Sequence, residues 1–182
     1  MAGIDIDLDF LALQIALVCV SSTRDLEHDR SGDTLEALLK KSGHRCHSRS
    51  AVIDQKKALR MKLEELISDS RCDCIITMGG TGLTGSDITP EVLQELYDKH
   101  IPGFGELFRA ISYEKIGTSA LQSRATGGLC RDTFIFALPG SPSACQDGWE
   151  HILKWQLDIR WQPCNLVQLL PRLLEDEAGV AL

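Results

Sequence analysis

The segment Asp73-Cys74-Ile75-Ile76-Thr77-Met78-Gly79-Gly80-Thr81-Gly82-Leu83-Thr84-Gly85-Ser86-Asp87-Ile88-Thr89-Pro90 concentrates the residue types that can hold an anion. A short apolar run gives way to a loop with glycines at 79, 80, 82 and 85, an isolated aspartate at 87, and a Thr-Pro-Glu helix start. Glycine lets the backbone take positive φ and pass close to a ligand with no Cβ in the way. A strand, a bare loop and a helix start in succession turn several N–H groups toward one place, and phosphate suits such a cluster. The spacing matches neither common phosphate loop. No Gly-Lys-Ser/Thr closes it, and no regular G-x-G-x-x-G opens the helix.

A loop of this kind needs a rigid frame, and the hydrophobic pattern supplies one. Residues 11–20 form a nearly continuous apolar run, the pattern of a strand buried on both faces. It ends in Ser21-Ser22-Thr23-Arg24-Asp25, and a polar loop runs on to Gly32. Leu35, Leu38 and Leu39 recur at helical spacing in a segment that stops at Gly43. Residues 44–53 read as a polar strand at a sheet edge, and Leu59, Leu63, Leu66 and Ile67 predict a helix over 55–69. Residues 74–78 are a third strand. Thr89 fits an N-cap with Pro90 at the first helical position. Further helices are expected over 105–113 and 143–157. Two strands, 125–130 and 133–138, are joined by a tight Arg131-Asp132 turn, with Pro139-Gly140-Ser141-Pro142 ending the second.

Strand–helix alternation at this spacing predicts an α/β fold: a three-layer α/β/α sandwich with a mainly parallel central sheet and helices on both faces. Ligands of such sheets sit at the carboxyl ends of the strands. The loops at 21–24, at Asp54, at 79–87 and at 139–141 all follow strands, so all four are expected to gather on one rim.

The chain has 182 residues and no Pro/Ser-rich or charge-run linker, which predicts a single domain over 1–182. Hydrophobic residues at 43% and charged residues at 25% place it among ordinary globular proteins. A net charge of −7 argues against nucleic acid as a partner. Attraction for a phosphate compound must then be local, from loop amides, a few arginines or a bound cation. The seven cysteines, several inside apolar runs, read as reduced core thiols. Cys72 and Cys74 lack C-x-x-C spacing, and strand alternation predicts one shared face for them. His28, His44, His47, His100 and His151 show no metal-ligand spacing and are expected to be solvated or capping. Aspartates rather than Lys or Arg near the start, and no apolar run approaching 18 residues, predict a cytoplasmic protein that does not meet the membrane.

Met78-Gly79-Gly80-Thr81-Gly82 with Asp87-Ile88-Thr89-Pro90 resembles the signature of the MoaB/MogA molybdopterin-binding family, which includes the G domain of gephyrin. Ile101-Pro102-Gly103-Phe104-Gly105-Glu106-Leu107-Phe108-Arg109 and Ile116-Gly117-Thr118-Ser119-Ala120-Leu121-Gln122-Ser123-Arg124-Ala125 look like its MoaB branch. So do Phe136-Ala137-Leu138-Pro139-Gly140-Ser141 and Gln156-Leu157-Asp158 with Pro163-Cys164-Asn165. The resemblance covers about residues 12–166, leaving a short N-terminal extension and an acidic C-terminal tail unassigned.

The resemblance implies a reaction in which AMP passes from Mg-ATP to the terminal phosphate of molybdopterin and pyrophosphate is released. It places Asp54 and Asp87 as catalytic, Mg²⁺-holding or nucleotide-positioning carboxylates. Mg²⁺ held by carboxylates supplies the charge neutralisation and alignment that nucleotidyl transfer needs. It places Ser22, Gly79, Gly80, Thr81, Gly82, Pro139, Gly140 and Ser141 along the pterin and phosphates, with Ser123 and Arg124 as phosphate contacts. It also implies a homo-oligomer, a trimer or a hexamer. Ser86 stands where many relatives carry Arg, which removes a cation beside the loop aspartate.

Other roles stay open at these positions. Aspartate in a Gly-rich turn often bonds its own backbone, Asp54 can cap a helix, Arg124 can form a surface pair, and Pro139-Gly140 can be a plain turn. Some MoaB-branch members have lost adenylylation, so a non-catalytic molybdopterin carrier or scaffold is the alternative function. A dehydrogenase reading is disfavoured, because no acidic residue sits at ribose distance after a G-x-G-x-x-G turn.

Overall fold

The apolar run near the start of the chain serves two cores at once. In strand β2 (Gln14–Val20), Ile15, Leu17 and Cys19 join one hydrophobic cluster, while Ala16, Val18 and Val20 join another. A strand's side chains alternate between faces, so a run that is apolar at every position needs cover on both sides. The computed structural model describes residues 2–21 and 28–175. With β1 (Gly3–Ile4), its strands continue as β3 (Arg45–Val52), β4 (Cys74–Met78), β5 (Lys99–His100), β6 (Thr126–Cys130), β7 (Thr133–Leu138) and β8 (Trp161–Gln162). The helices are α1 (Arg30–Lys41), α2 (Lys56–Ile67), α3 (Thr89–Leu96), α4 (Pro102–Ile116), α5 (Pro142–Gly148) and α6 (Lys154–Gln156), with a π-helical turn, Trp149–Leu153, between the last two.

The main sheet runs β3-β2-β4-β7-β6-β5. β2 is parallel to β3 and β4, β4 is parallel to β7, and β6 is antiparallel to both β7 and β5. β4 and β7 repeat the alternation of β2: Ile76, Met78, Phe136 and Leu138 face the first core, Ile75, Ile135 and Ala137 the second. Leu35 and Leu39 of α1, Phe104 and Phe108 of α4, Cys145 of α5 and Trp149 close the first core. Leu59 and Leu63 of α2 with Val92 and Leu93 of α3 close the second. Each such side chain, fully buried, stabilises the fold by about 1.5–3 kcal/mol before entropy is counted. The result is a three-layer α/β/α sandwich.

The register aligns the strand ends. Val20 pairs with Val52, Cys19 with Met78, and Met78 with Leu138, so the loops after β2, β3, β4 and β7 leave from one edge. The helix after β2 packs on the first face and the helix after β4 on the second. Adjacent strands whose connections part in this way open a crevice between them.

Several local expectations are adjusted. α3 begins at Thr89 with Ile88 as its N-cap, because the Thr89 hydroxyl donates to the Gly79 carbonyl (2.8 Å) instead of accepting from its own helix. Gln55, not Asp54, occupies the N-cap of α2, without a side-chain bond. α4 is longer than its apolar pattern predicts, since Pro102 starts it early. Cys72 and Cys74 fall in opposite cores, because Cys72 precedes the strand and the period-two rule does not reach it. The C-terminal segment is more ordered than its composition suggests: β8 pairs antiparallel with β1, and Val167–Arg172 forms a 3-10 helix.

His44 is buried, against the expectation of solvent or a cap. Its Nδ1 accepts from the Leu13 amide (3.2 Å), its ring packs on Phe10 and Trp149, and its Nε2 has no partner. Burial pushes its pKa down to about 4, with the Asp158 carboxylate opposing weakly. The unfolded chain therefore binds this proton more readily than the folded one. Stability from neutral His44 is complete above pH ~6.5 and is lost as pH falls toward about 4. His44→Gln is expected to flatten the dependence of the urea midpoint on pH across that window. A slope identical to wild type would show that His44 does not titrate this way.

Candidate functional site

A cavity of about 910 Å³ lies at the carboxyl ends of β2, β4 and β7, within the size range of small-molecule and cofactor sites. Val20 and Ser21 border it after β2, Gly79, Gly80, Thr81, Gly82 and Asp87 after β4, and Pro139, Gly140 and Ser141 after β7. Ser123 also lines it. Nine of the residues singled out from sequence thus share one space. Arg124 lines a smaller neighbouring cavity, with Ser123 common to both. Asp54 follows β3 and lines neither, and Ser22 lies outside the described residues.

The glycine loop is folded back on its strand. Gly79 has φ +99° and Gly80 φ +63°. A Cβ on Gly79 would stand 2.4 Å from the Val20 carbonyl oxygen, and one on Gly80 2.4 Å from the Thr89 hydroxyl. The Gly79 amide donates to Leu138, and the Thr89 amide donates to Gly80. The amides of Gly80 and Thr81 donate to no group among the described residues. Two adjacent amides without an acceptor, on residues that line a cavity, are suited to an anion-binding concavity.

Asp87 closes the loop. Its Oδ2 accepts from the Thr84 hydroxyl (2.6 Å) and the Thr84 amide (2.9 Å). The Thr84 hydroxyl bond, then the amides of Thr84 and Gly82 and the charge of Arg124, hold its carboxyl below the usual carboxylate range against a burial penalty. Asp87 is therefore a lasting anion that lines the cavity and at the same time shapes its own loop. Arg124 braces that loop from behind: Nε donates to the Gly82 carbonyl (2.7 Å), Nη2 to the Asp87 carbonyl (2.8 Å), and Nη1 pairs with Glu91. Its guanidinium is spent on protein groups.

The opposite wall is tied to α1. The Ser31 hydroxyl donates to the Gly140 carbonyl (2.9 Å). Asp29, fully buried, caps α1 by accepting from the Gly32 amide (2.9 Å) and pairs with Arg49 of β3 (3.1 Å). Ser141 caps α5 by accepting from the Ala144 amide (3.2 Å). Sequence reasoning passed over Ser31, Ser112, Gln122, Lys115 and Asp147, which also line the cavity. One signal was available: Phe108, Ser112 and Lys115 recur at i, i+4 and i+7 on a single face of α4. No group of three His, Cys, Asp or Glu able to hold a metal ion occurs among the described residues.

Residues 16–158 match the family described as "Probable molybdopterin binding domain". The chain is 41% identical over 160 residues to molybdenum cofactor biosynthesis protein B of Escherichia coli (strain K12), covering 88% of this chain and 94% of that one. A crystal structure of a molybdenum cofactor biosynthesis protein B superposes with a TM-score of 0.79 at 38% identity, over 81% of this chain and 92% of that one. The tungsten cofactor synthesizing protein MoaB from Pyrococcus furiosus superposes with a TM-score of 0.71 at 35% identity, over 78% and 91%.

The brace has a consequence that separates it from a ligand contact. Arg124→Ala is expected to lower the stability of the ligand-free protein by about 1–3 kcal/mol, because three groups lose a charged donor. Arg124→Lys should recover only part of this, since one ammonium cannot span the same carbonyls. A direct phosphate contact would instead leave the ligand-free urea midpoint unchanged.

Proposed function

The chain belongs to the molybdopterin-binding domain family, and on that premise we propose that its cavity binds molybdopterin in molybdenum cofactor biosynthesis and adenylylates it with Mg-ATP. The observation that carries the proposal is the pair of unpartnered amides at Gly80 and Thr81 beside the Asp87 carboxylate, where the loops after three parallel strands converge. Amides fixed before the ligand arrives bind phosphate without reorganisation, which is what transfer between phosphates requires.

The donor set fits Mg²⁺ in a restricted way. Mg²⁺ accepts one or two protein carboxylates and takes its other ligands from phosphate and water. Asp87, held ionised, would be that carboxylate, and the ion would neutralise the triphosphate. The amides and Ser141 would orient the two phosphates so that a terminal molybdopterin oxygen attacks the α-phosphorus of ATP and pyrophosphate leaves. Asp54 remains a proposed nucleotide-positioning group on the resemblance of Val52-Ile53-Asp54-Gln55 to the family pattern, although it does not border this cavity.

That placement of Asp54 favours a second reading, a molybdopterin carrier without turnover. The two readings part on one assay. With Mg-ATP and fresh molybdopterin, the enzyme releases pyrophosphate, and Asp87→Asn is expected to slow it by about a hundredfold or more. Molybdopterin binding by titration calorimetry without any pyrophosphate above background would leave only the carrier.

Self-association is part of the proposal. Leu107, Tyr113, Ile116 and Leu121 are between 56% and 83% exposed on and just after α4. Large apolar side chains exposed to this degree are often covered by another subunit. Trp149 is fully buried in the first core and takes no part in such a contact. Sedimentation is expected to give a trimer or hexamer that Leu121→Asp weakens. A wild-type monomer at micromolar concentration would refute this.

A further inference from the structure

Three charged side chains among the described residues line the main cavity: Asp87, Lys115 and Asp147. Lys115 of α4 and Asp147 of α5 are bound to each other there. The Asp147 side chain is 15% exposed and that of Lys115 52%, so the carboxylate is sheltered while the ammonium stays open to solvent. Lys115 is the single cation among these lining residues. Arg124 is committed to the Gly82 and Asp87 carbonyls and to Glu91, and Ser86 brings no charge to the position before Asp87.

Among the described lining residues, an entering anion meets two carboxylates and one lysine that is already neutralised. We infer that Asp147 is an internal stand-in for the ligand's phosphate: on binding, a phosphate oxygen replaces the Asp147 carboxylate on Lys115 Nζ, and Lys115 supplies the cation that residue 86 lacks. The inference deepens the reading of the cavity as a site for a phosphorylated ligand, and rests on it. The exchange is physically easy. Water competes for the half-exposed ammonium end of the pair, which lowers the net worth of the Lys115–Asp147 contact. A phosphate group offers the same ammonium more charge and more acceptor oxygens. The four-carbon stem of lysine lets its head swing from one partner to the other without moving α4. Ser112, on the same face of α4, stands ready with a hydroxyl for the arriving oxygen.

Titration of inorganic pyrophosphate into the full chain, with neither nucleotide nor metal, tests the exchange. Lys115→Met is expected to weaken binding about tenfold, and Asp147→Asn to tighten it about three- to fivefold by removing the internal competitor. In the Lys115→Met background, Asp147→Asn should then change nothing further. Lys115→Arg, which keeps the charge, should bind within about threefold of wild type and so separates loss of the cation from loss of the fold. Molybdopterin is expected to follow the same order. Equal tightening by Asp147→Asn with and without Lys115 would mean general charge repulsion and would overturn the exchange. An unchanged Kd in Lys115→Met, or no pyrophosphate binding by wild type, would overturn it too. Molybdopterin binding that ignores both substitutions sinks the exchange alone. Pyrophosphate binding with the expected pattern but no affinity for molybdopterin sinks the pterin reading and leaves the exchange standing.

Discussion

Parallel pairing of β2, β4 and β7 is the constraint from which the site follows. Parallel neighbours must leave the sheet at the same edge and return by crossovers, so their loops collect on one rim whatever their separation along the chain. Pairing of Cys19 with Met78 and of Met78 with Leu138 sets those ends level. Burial on both faces holds that register. A one-residue slip would turn Leu17 toward α2 and Val18 toward α1, refilling two cores with the wrong volumes.

On this rim the glycine loop is shaped by close approach. Gly79 must pass the Val20 carbonyl and Gly80 must pass the Thr89 hydroxyl, at distances that leave no room for a Cβ. Thr89 forgoes its capping role to hold the Gly79 carbonyl, and the next two residues, Gly80 and Thr81, line the cavity with amides that donate to no group among the described residues. Arg124 supplies the counterforce from a segment distant in sequence. The anion site is thus made of backbone, and side-chain charge serves mostly to hold it in place. That division suits an acidic chain of net charge −7, in which Lys115 is the one Lys or Arg among the described residues that line the cavity.

Much of this was legible in the amino-acid order. Strands and helices followed from period, and the loop from its glycines, since both are local properties. Misplacements came where a long-range partner overrode a local preference. Thr89 left its cap for Gly79, and His44 entered the core to meet Leu13, Phe10 and Trp149. Lys115 and Asp147 carried only a faint signal, because a lysine and an aspartate on amphipathic helices look like ordinary solvated positions until the two helices meet.

The sequence alone determined the α/β class, the strand order in time, the bare phosphate-suited loop and the family resemblance, because periodicity, glycine spacing and motif residues are all written locally. Only the tertiary structure decided which loops share a cavity and which carboxylate stands in it. Asp87 borders the cavity and Asp54 does not, though both follow parallel strands of one sheet. Its polar pattern marked β3 as an edge strand, but its place beside β2, one strand from the crevice, is set by strand order in space, which no local pattern encodes.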